Sequence, residues 1–207
     1  MGDERSTMIQ VANDTTGLSL DRRDFIKLVG GGIIVLFSCD APVFPGQGRG
    51  PAYPSDPNAY LKIAEDGRVT LYSGKIEMGQ GVVISLAQEA ADELGVALAS
   101  IEMVMGDTDL CPYDAGTYGS MSTRFFGPAV RAAAAEAKAI LLDLASERLK
   151  TTKDRLSVEN GAVFVTANRR SRVTYGQLAK GQKITRKLEG KAVTKSVAEF
   201  TSMGKPV

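Results

Sequence analysis

Histidine is absent from all 207 residues. Its absence removes the usual general base, any Ser-His-Asp triad and the commonest metal ligand. Cysteine is nearly absent as well. Cys39 and Cys111 stand alone, too few for a paired-cysteine metal site or an Fe–S spacing. Neither charge sign is in excess: the formal net charge is +1, so no basic field argues for nucleic acid. No transmembrane-length run is visible either. The apolar stretch from Leu28 to Phe37 is too short to span a bilayer as an ordinary helix. What remains is the apolar and charged content of a soluble globular chain, long enough for one domain or two small ones.

The most informative feature present is Glu77-Met78-Gly79-Gln80-Gly81. Glycine lacks a Cβ, so backbone there can adopt positive φ and approach a ligand closely. Apolar residues recur at helical spacing immediately afterwards, at Val82, Val83, Leu86, Ala90 and Leu94, with Gly95 as a stop. A helix start leaves N–H groups without intrahelical partners at the positive end of the macrodipole, which suits a phosphate. A tight strand-to-helix turn without ligand reads equally well from this motif alone.

The first forty residues resemble an address. Arg22-Arg23 precedes Phe25 and Ile26, then an apolar stretch containing Gly30, Gly31 and Gly32. The order resembles a twin-arginine export signal, with Asp21 where Ser or Thr is usual. Leu36-Phe37-Ser38-Cys39 further resembles a lipobox, leaving lipidation of Cys39 open. Residues 1–39 are therefore assigned to a signal segment and 40–57, rich in proline and glycine, to a linker or arm. Folded sequence is expected from residue 58 to 207.

Within 58–207 the pattern predicts a hairpin (60–63 and 69–72, turning at Glu65-Asp66-Gly67), the helix after Gly81, and a strand at Ile101 to Met105. A long helix follows from Phe125 to Lys150, with Pro128 near its start and an alanine run from Ala132 to Ala135. A second hairpin turns at Asn160-Gly161, and a short helix starts on Thr174 as its cap. The fold class is α+β: a small mixed sheet with hairpins and two main helices packed on one face. From Lys180 the chain is basic and sparse in apolar residues, ending on an extended segment, which leads us to expect further protein beyond it. Gly106-Asp107-Thr108-Asp109 lacks the spacing of a calcium loop and reads as a solvated turn. Cys111 reads as a half-buried small apolar residue.

A second anchor, Tyr118-Gly119-Ser120-Met121-Ser122-Thr123, lies before the long helix. One hydroxyl suffices for a cap; three beside a glycine are better explained by donation to an anion. If the strand at Ile101 to Met105 lies beside the first hairpin, both helix starts meet at one sheet edge.

With these residues in view, the chain resembles the N-terminal part of the molybdopterin-binding large subunit of molybdenum hydroxylases. This is the xanthine dehydrogenase and aldehyde oxidase family, in the branch typified by the isoquinoline 1-oxidoreductase beta subunit. The resemblance runs from Tyr60 to Val207. It rests on Glu77 to Gly81 followed by Glu89 and Glu93, and on Gly119 to Thr123 followed by Gly127, Ala129 and Val130. Asn160-Gly161, Thr174 to Leu178 and Gly204 to Pro206 complete it.

The resemblance implies half of a cofactor cradle. Gln80 would meet the pterin or a molybdenum oxo group, and Gly79 and Gly81 would allow backbone approach. Gly119, Ser120, Ser122 and Thr123 would hold the pyrophosphate or pterin edge. The implied cofactor is molybdopterin cytosine dinucleotide, bound jointly with the rest of the large subunit. No residue here would ligate the metal, and no catalytic residue is assigned; Glu77 and Glu89 are given structural roles. The implied partners are the remaining large subunit and a [2Fe–2S] small subunit, with a membrane cytochrome c left open and nucleic acid excluded. The implied whole is a periplasmic hydroxylase of aldehydes or N-heterocycles. The rival is an exported binding domain that kept the scaffold without the cofactor.

Overall fold

A computed structural model describes residues 31–37, 59–114 and 116–206. Arg22-Arg23, Cys39 and the 40–57 segment lie outside the described residues.

Among the described residues, eight strands and three α-helices follow as β1 (Gly32–Phe37), β2 (Ala59–Ile63), β3 (Val69–Ser73), α1 (Val82–Leu94), β4 (Ile101–Met105), α2 (Gly127–Leu149), β5 (Leu156–Glu159), β6 (Ala162–Val165), β7 (Asn168–Thr174), α3 (Tyr175–Ala179) and β8 (Lys183–Lys187). The main sheet runs β4-β3-β2-β1-β8, and a smaller antiparallel sheet runs β5-β6-β7. The main sheet is mixed. β4 lies parallel to β3 and β8 parallel to β1, while β1, β2 and β3 run antiparallel.

Register makes one face continuous. Ile33, Val35 and Phe37 of β1 stand opposite Ile63, Leu61 and Ala59 of β2, which stand opposite Val69, Leu71 and Ser73 of β3. All nine have no exposed surface. Leu86, Ala90 and Leu94 of α1 and Val130, Ala133, Ala134, Ala137 and Leu141 of α2 share the same core. The alanines let α2 lie close to β1, where larger side chains would hold it off. Each fully buried leucine on this face contributes about 2 kcal/mol.

Local chemistry sets the element ends. Gly95 closes α1 at φ 67°, with its N–H donating to the Ala91 carbonyl. Asn160 and Gly161, both at positive φ, turn β5 into β6. Thr174 caps α3 through a reciprocal box with Gln177.

Three elements differ from the sequence expectation, among them β7, a mostly exposed strand that the pattern did not predict. β1 falls inside the stretch read as the end of an export segment, so ordered sheet begins by Gly32 rather than near residue 58. A short apolar run fits an export segment and a strand buried on both faces equally well. The basic tail, read as having no closing strand, forms β8, which stays mostly exposed and pairs with a strand some 150 residues earlier.

After β8 the chain returns to α1. Asp92 is almost fully buried, and its Oδ1 accepts from the Thr201 N–H (2.9 Å), the Thr201 hydroxyl (2.7 Å) and the Ser202 N–H (2.9 Å). Its Oδ2 accepts from the Met203 N–H at 2.8 Å. Burial alone would raise this carboxyl, but the donors together hold it below its ordinary range. Asp92→Asn should therefore speed amide exchange at Thr201, Ser202 and Met203 by about tenfold or more, given 1.5–3 kcal/mol for a charged hydrogen bond. Unchanged exchange there would remove Asp92 as the clamp.

Candidate functional site

The first corner forms where β3 gives way to α1. Gly79 and Gly81 sit at φ 90° and 77°, a region costly for a side-chain-bearing residue. A Cβ added at either would meet nothing within 4 Å, so the fold itself requires their positive φ and leaves open space beside them. The helix-start donors are not free, as the sequence reading had expected. Glu77 Oε1 accepts from the Gly79 N–H (2.8 Å) and the Gly81 N–H (2.9 Å), and Oε2 from the Val83 N–H (3.0 Å). A carboxylate two residues upstream reaches these groups within its own loop. The Val83 and Gly81 bonds lead in holding Glu77 below the ordinary carboxylate range. Gln80 folds over the same loop. Its Oε1 accepts from the Met78 N–H (2.5 Å), and its Nε2 donates to the Ile76 carbonyl (2.9 Å).

The second corner precedes α2. Gly119 (φ 63°) and Ser120 (φ 54°) are both left-handed, and Ser120 is one of few non-glycine residues here in that region. Ser122–Phe126 then form a π-helical turn feeding α2. Such turns recur at functional sites because they re-aim side chains. No side chain caps either segment. The Thr123 hydroxyl instead lies 3.0 Å from the Ser85 hydroxyl of α1, tying the two helix starts together.

The parallel pairing of β3 and β4 puts both corners at one sheet edge. A cleft of about 660 Å³ opens there. Gln80, Gly119, Ser120, Ser122, Thr123 and Arg124 line it; Gly79 and Gly81 are not in its wall. That volume lies in the usual range for small-molecule sites. Met78 and Tyr118 also line the cleft, and both are exposed apolar side chains.

A buried ion pair braces the corners. Lys75 Nζ donates to Asp114 Oδ1 at 2.8 Å and to the Gly116 carbonyl at 2.9 Å. The Ile76 N–H donates to the Thr117 hydroxyl at 2.8 Å. A Cβ on Gly74 would sit 2.5 Å from Asp114 Cβ, so only glycine lets these loops pass. The sequence reading passed over Lys75, Asp114 and Arg124. Arg124 carries a cation into a wall otherwise made of hydroxyls, and its guanidinium lies 5.0 Å from the centre of the Phe125 ring. Its position two residues beyond Ser122 was the available signal.

Glu89 lies behind the corners, as expected of a structural residue. A Cβ on Gly127 would fall 2.4 Å from its carboxylate. Asp107 Oδ1 accepts from the Asp109 and Leu110 N–H groups, so Gly106 to Asp109 is a closed turn. Cys111 is half-buried, and its thiol donates to the Val104 carbonyl at 3.1 Å. No cluster of three potential metal ligands occurs among the described residues.

A family model described as a molybdopterin cofactor-binding domain matches residues 6–206. A nicotinate dehydrogenase subunit from Pseudomonas putida is 29% identical over 146 residues, 70% of this chain and 12% of that protein. The gamma subunit of the 6-hydroxypseudooxynicotine dehydrogenase complex from Paenarthrobacter nicotinovorans is 37% identical over 105 residues, 51% of this chain and 13% of its own length. Among solved structures, CO dehydrogenase from Oligotropha carboxidovorans superposes with a TM-score of 0.52 at 33% identity, covering 58% of this chain and 15% of that one. This chain thus spans under a sixth of each of these proteins.

Proposed function

The chain belongs to the molybdopterin cofactor-binding domain family, and from that premise we propose that it forms one wall of the cofactor site in an exported molybdenum hydroxylase. The observation that carries this reading is the shared cleft: Gln80 from one corner and Ser122 from the other face a single hollow. The donor set suits a phosphorylated ligand. Ser120, Ser122 and Thr123 offer hydroxyl donors, and Arg124 supplies fixed positive charge. The open space beside Gly79 and Gly81 is what a Cβ would fill.

In this reading Ser120, Ser122, Thr123 and Arg124 hold the phosphate end and Gln80 orients the pterin. The cytosine dinucleotide form is the one proposed. When bound, the molybdenum centre supplies a two-electron oxidation of an aldehyde or N-heterocycle with water as the oxygen source. This chain's part is to bind, orient and exclude water. Glu77 is committed to its own loop and Glu89 faces Gly127, which supports placing the catalytic carboxylate elsewhere. We accordingly expect no turnover from this chain alone. The exposed Met78 and Tyr118 suit closure by the rest of the large subunit. Electrons would leave through a [2Fe–2S] subunit, with a membrane cytochrome c as the further acceptor. Export through the Arg22-Arg23 signal fits a cofactor inserted before a folded chain crosses the membrane. Fractionation of an R22K/R23K variant tests it, and unchanged location would reject export.

One observation favours the rival, a scaffold without cofactor: Glu77 satisfies the first corner with no ligand. Co-expression with the remaining large and small subunits separates the two. The purified complex should contain molybdenum and a pterin dinucleotide. S120A/S122A/T123V should lower both by about tenfold or more, at 1.5–3 kcal/mol per charged hydrogen bond lost. A wild-type complex without molybdenum would refute the enzyme reading, and a fully loaded triple variant would refute the assigned residues.

A further inference from the structure

β1 coincides with residues that the sequence offers to an export and lipidation pathway. We propose that β1 is a permanent strand of the working protein, so that no processing cut falls at Cys39 or anywhere between Gly32 and Phe37. The proposal rests on the sheet alone, and it leaves only residues before Gly32 for an export signal to present on a folded chain.

Three observations carry it. The first is position. β1 is an interior strand, registered over five residue pairs with β2 on one side and five with β8 on the other. Ile33, Val35 and Phe37 have no exposed surface. Among the described residues β8 has β1 as its neighbour and no strand beyond. Cutting away residues up to Cys39 would therefore split the sheet, strand β8 and expose the core.

The second observation is a steric demand. Gly32 sits at φ 126°, and a Cβ there would lie 2.3 Å from the Ile63 carbonyl oxygen. Its N–H donates to the Gln182 carbonyl at 2.8 Å. An export segment awaiting removal needs apolar character here, and any small apolar residue would serve. Only the folded sheet needs glycine.

The third observation concerns the cofactor corner. The Phe37 ring packs on Phe126, centroids 5.8 Å apart and tilted by 31°. Phe126 ends the turn that carries Ser122 and Thr123. The last residue of β1 is thus part of the floor beneath the second corner. A peptidase cutting between Ser38 and Cys39 would also need the preceding residues free and extended in its own cleft, yet Leu36 and Phe37 are held in β1. The Leu188 N–H donates to the Leu36 carbonyl at 2.7 Å.

Gly32→Val in the full chain tests the proposal, because valine makes the stretch more apolar and leaves its export character intact. The expected result is a fall of about 10 °C in the thermal midpoint, or loss of soluble protein. Gly31→Ala is the control. A Cβ there meets the end of the Glu65 side chain at 2.9 Å and the Gln182 carbonyl oxygen at an ordinary 3.4 Å, so accommodation costs at most a shift of Glu65 from the Gly181 N–H and the midpoint should stay within about 2 °C of wild type. A Gly32→Val protein with the wild-type midpoint and yield would overturn the proposal. The N-terminus of the purified wild-type chain, read by intact mass, should lie at or before Gly31. A folded protein starting at Cys39, with or without lipid, would overturn it as well. Fractionation of the same cells reports the compartment separately, so a failure of export is distinguishable from a failure of this inference.

Discussion

Lys75→Met should destabilise the chain by about 3–5 kcal/mol, the cost of removing one partner from a buried ion pair. The Lys75 and Asp114 side chains are 4% and 1% exposed. Methionine would keep the stem's packing but leave the Asp114 carboxylate without its cation. Asp114 could not recover easily: its Oδ2 is already buried without a hydrogen-bond partner, and its Oδ1 would retain only the Gly116 N–H. The loss would reach the cleft, because this pair ties the segment entering the first corner to the loop entering the second. Lys75 Nζ also lies 5.9 Å from the centre of the Phe126 ring, beneath the same turn. Urea unfolding measures the effect. A double variant, K75M/D114L, should recover much of the loss, because replacing both charges removes the unpaired one. A single variant within about 1 kcal/mol of wild type would show that the pair is solvated and braces nothing.

That pair was invisible in the sequence because its partners are 39 residues apart and neither belongs to a motif. The same holds for the other features the sequence withheld. Elements with local causes were legible. Asn160-Gly161 can hardly be anything but a hairpin turn, Gly95 ends a helix by its own φ, and Thr174 finds its capping partner three residues on. Elements with distant causes were not. β8, Lys-Ile-Thr-Arg-Lys, carries one apolar residue and looks like a solvated tail; its charges are those of an edge strand that must not pair further. β7 is mostly exposed and so lacks the alternation that marks a half-buried strand. The corners of the site lay between these cases. Glycines and hydroxyls marked where the cleft would be, and parallel pairing of β3 with β4 brought them together as expected. Which N–H groups Glu77 would already hold depended on loop geometry that spacing alone does not fix.

Glu89 yields the second large effect, and it depends on pH. The side chain is 3% exposed. Burial dominates and pushes its carboxyl up to about 7, the Arg131 cation opposes this, and the Glu93 carboxylate adds to it. The Arg131 guanidinium is engaged with Glu93, its Nε 2.9 Å from Oε1, so Glu89 receives only part of that charge. Below the ordinary value of 4.5, Glu89 is protonated in both folded and unfolded chains and contributes no pH dependence. Between 4.5 and about 7 the unfolded chain ionises while the folded chain keeps its proton, so stability falls as pH rises. Above that range both forms are ionised and the full penalty of about 3 kcal/mol is present. Glu89→Gln holds the site neutral at every pH. Its absolute stability includes the cost of fitting an amide against Gly127, but that cost does not vary with pH. The decisive quantity is the change in the stability difference between variant and wild type from about pH 5 to about pH 8. It should move by about 2–3 kcal/mol in favour of the variant, since the other titrating groups are common to both. Denaturant midpoints at the two pH values measure it. Parallel pH profiles would mean that Glu89 is already ionised in the folded chain at the lower pH, and the neutral carboxyl behind the second corner would have to be abandoned.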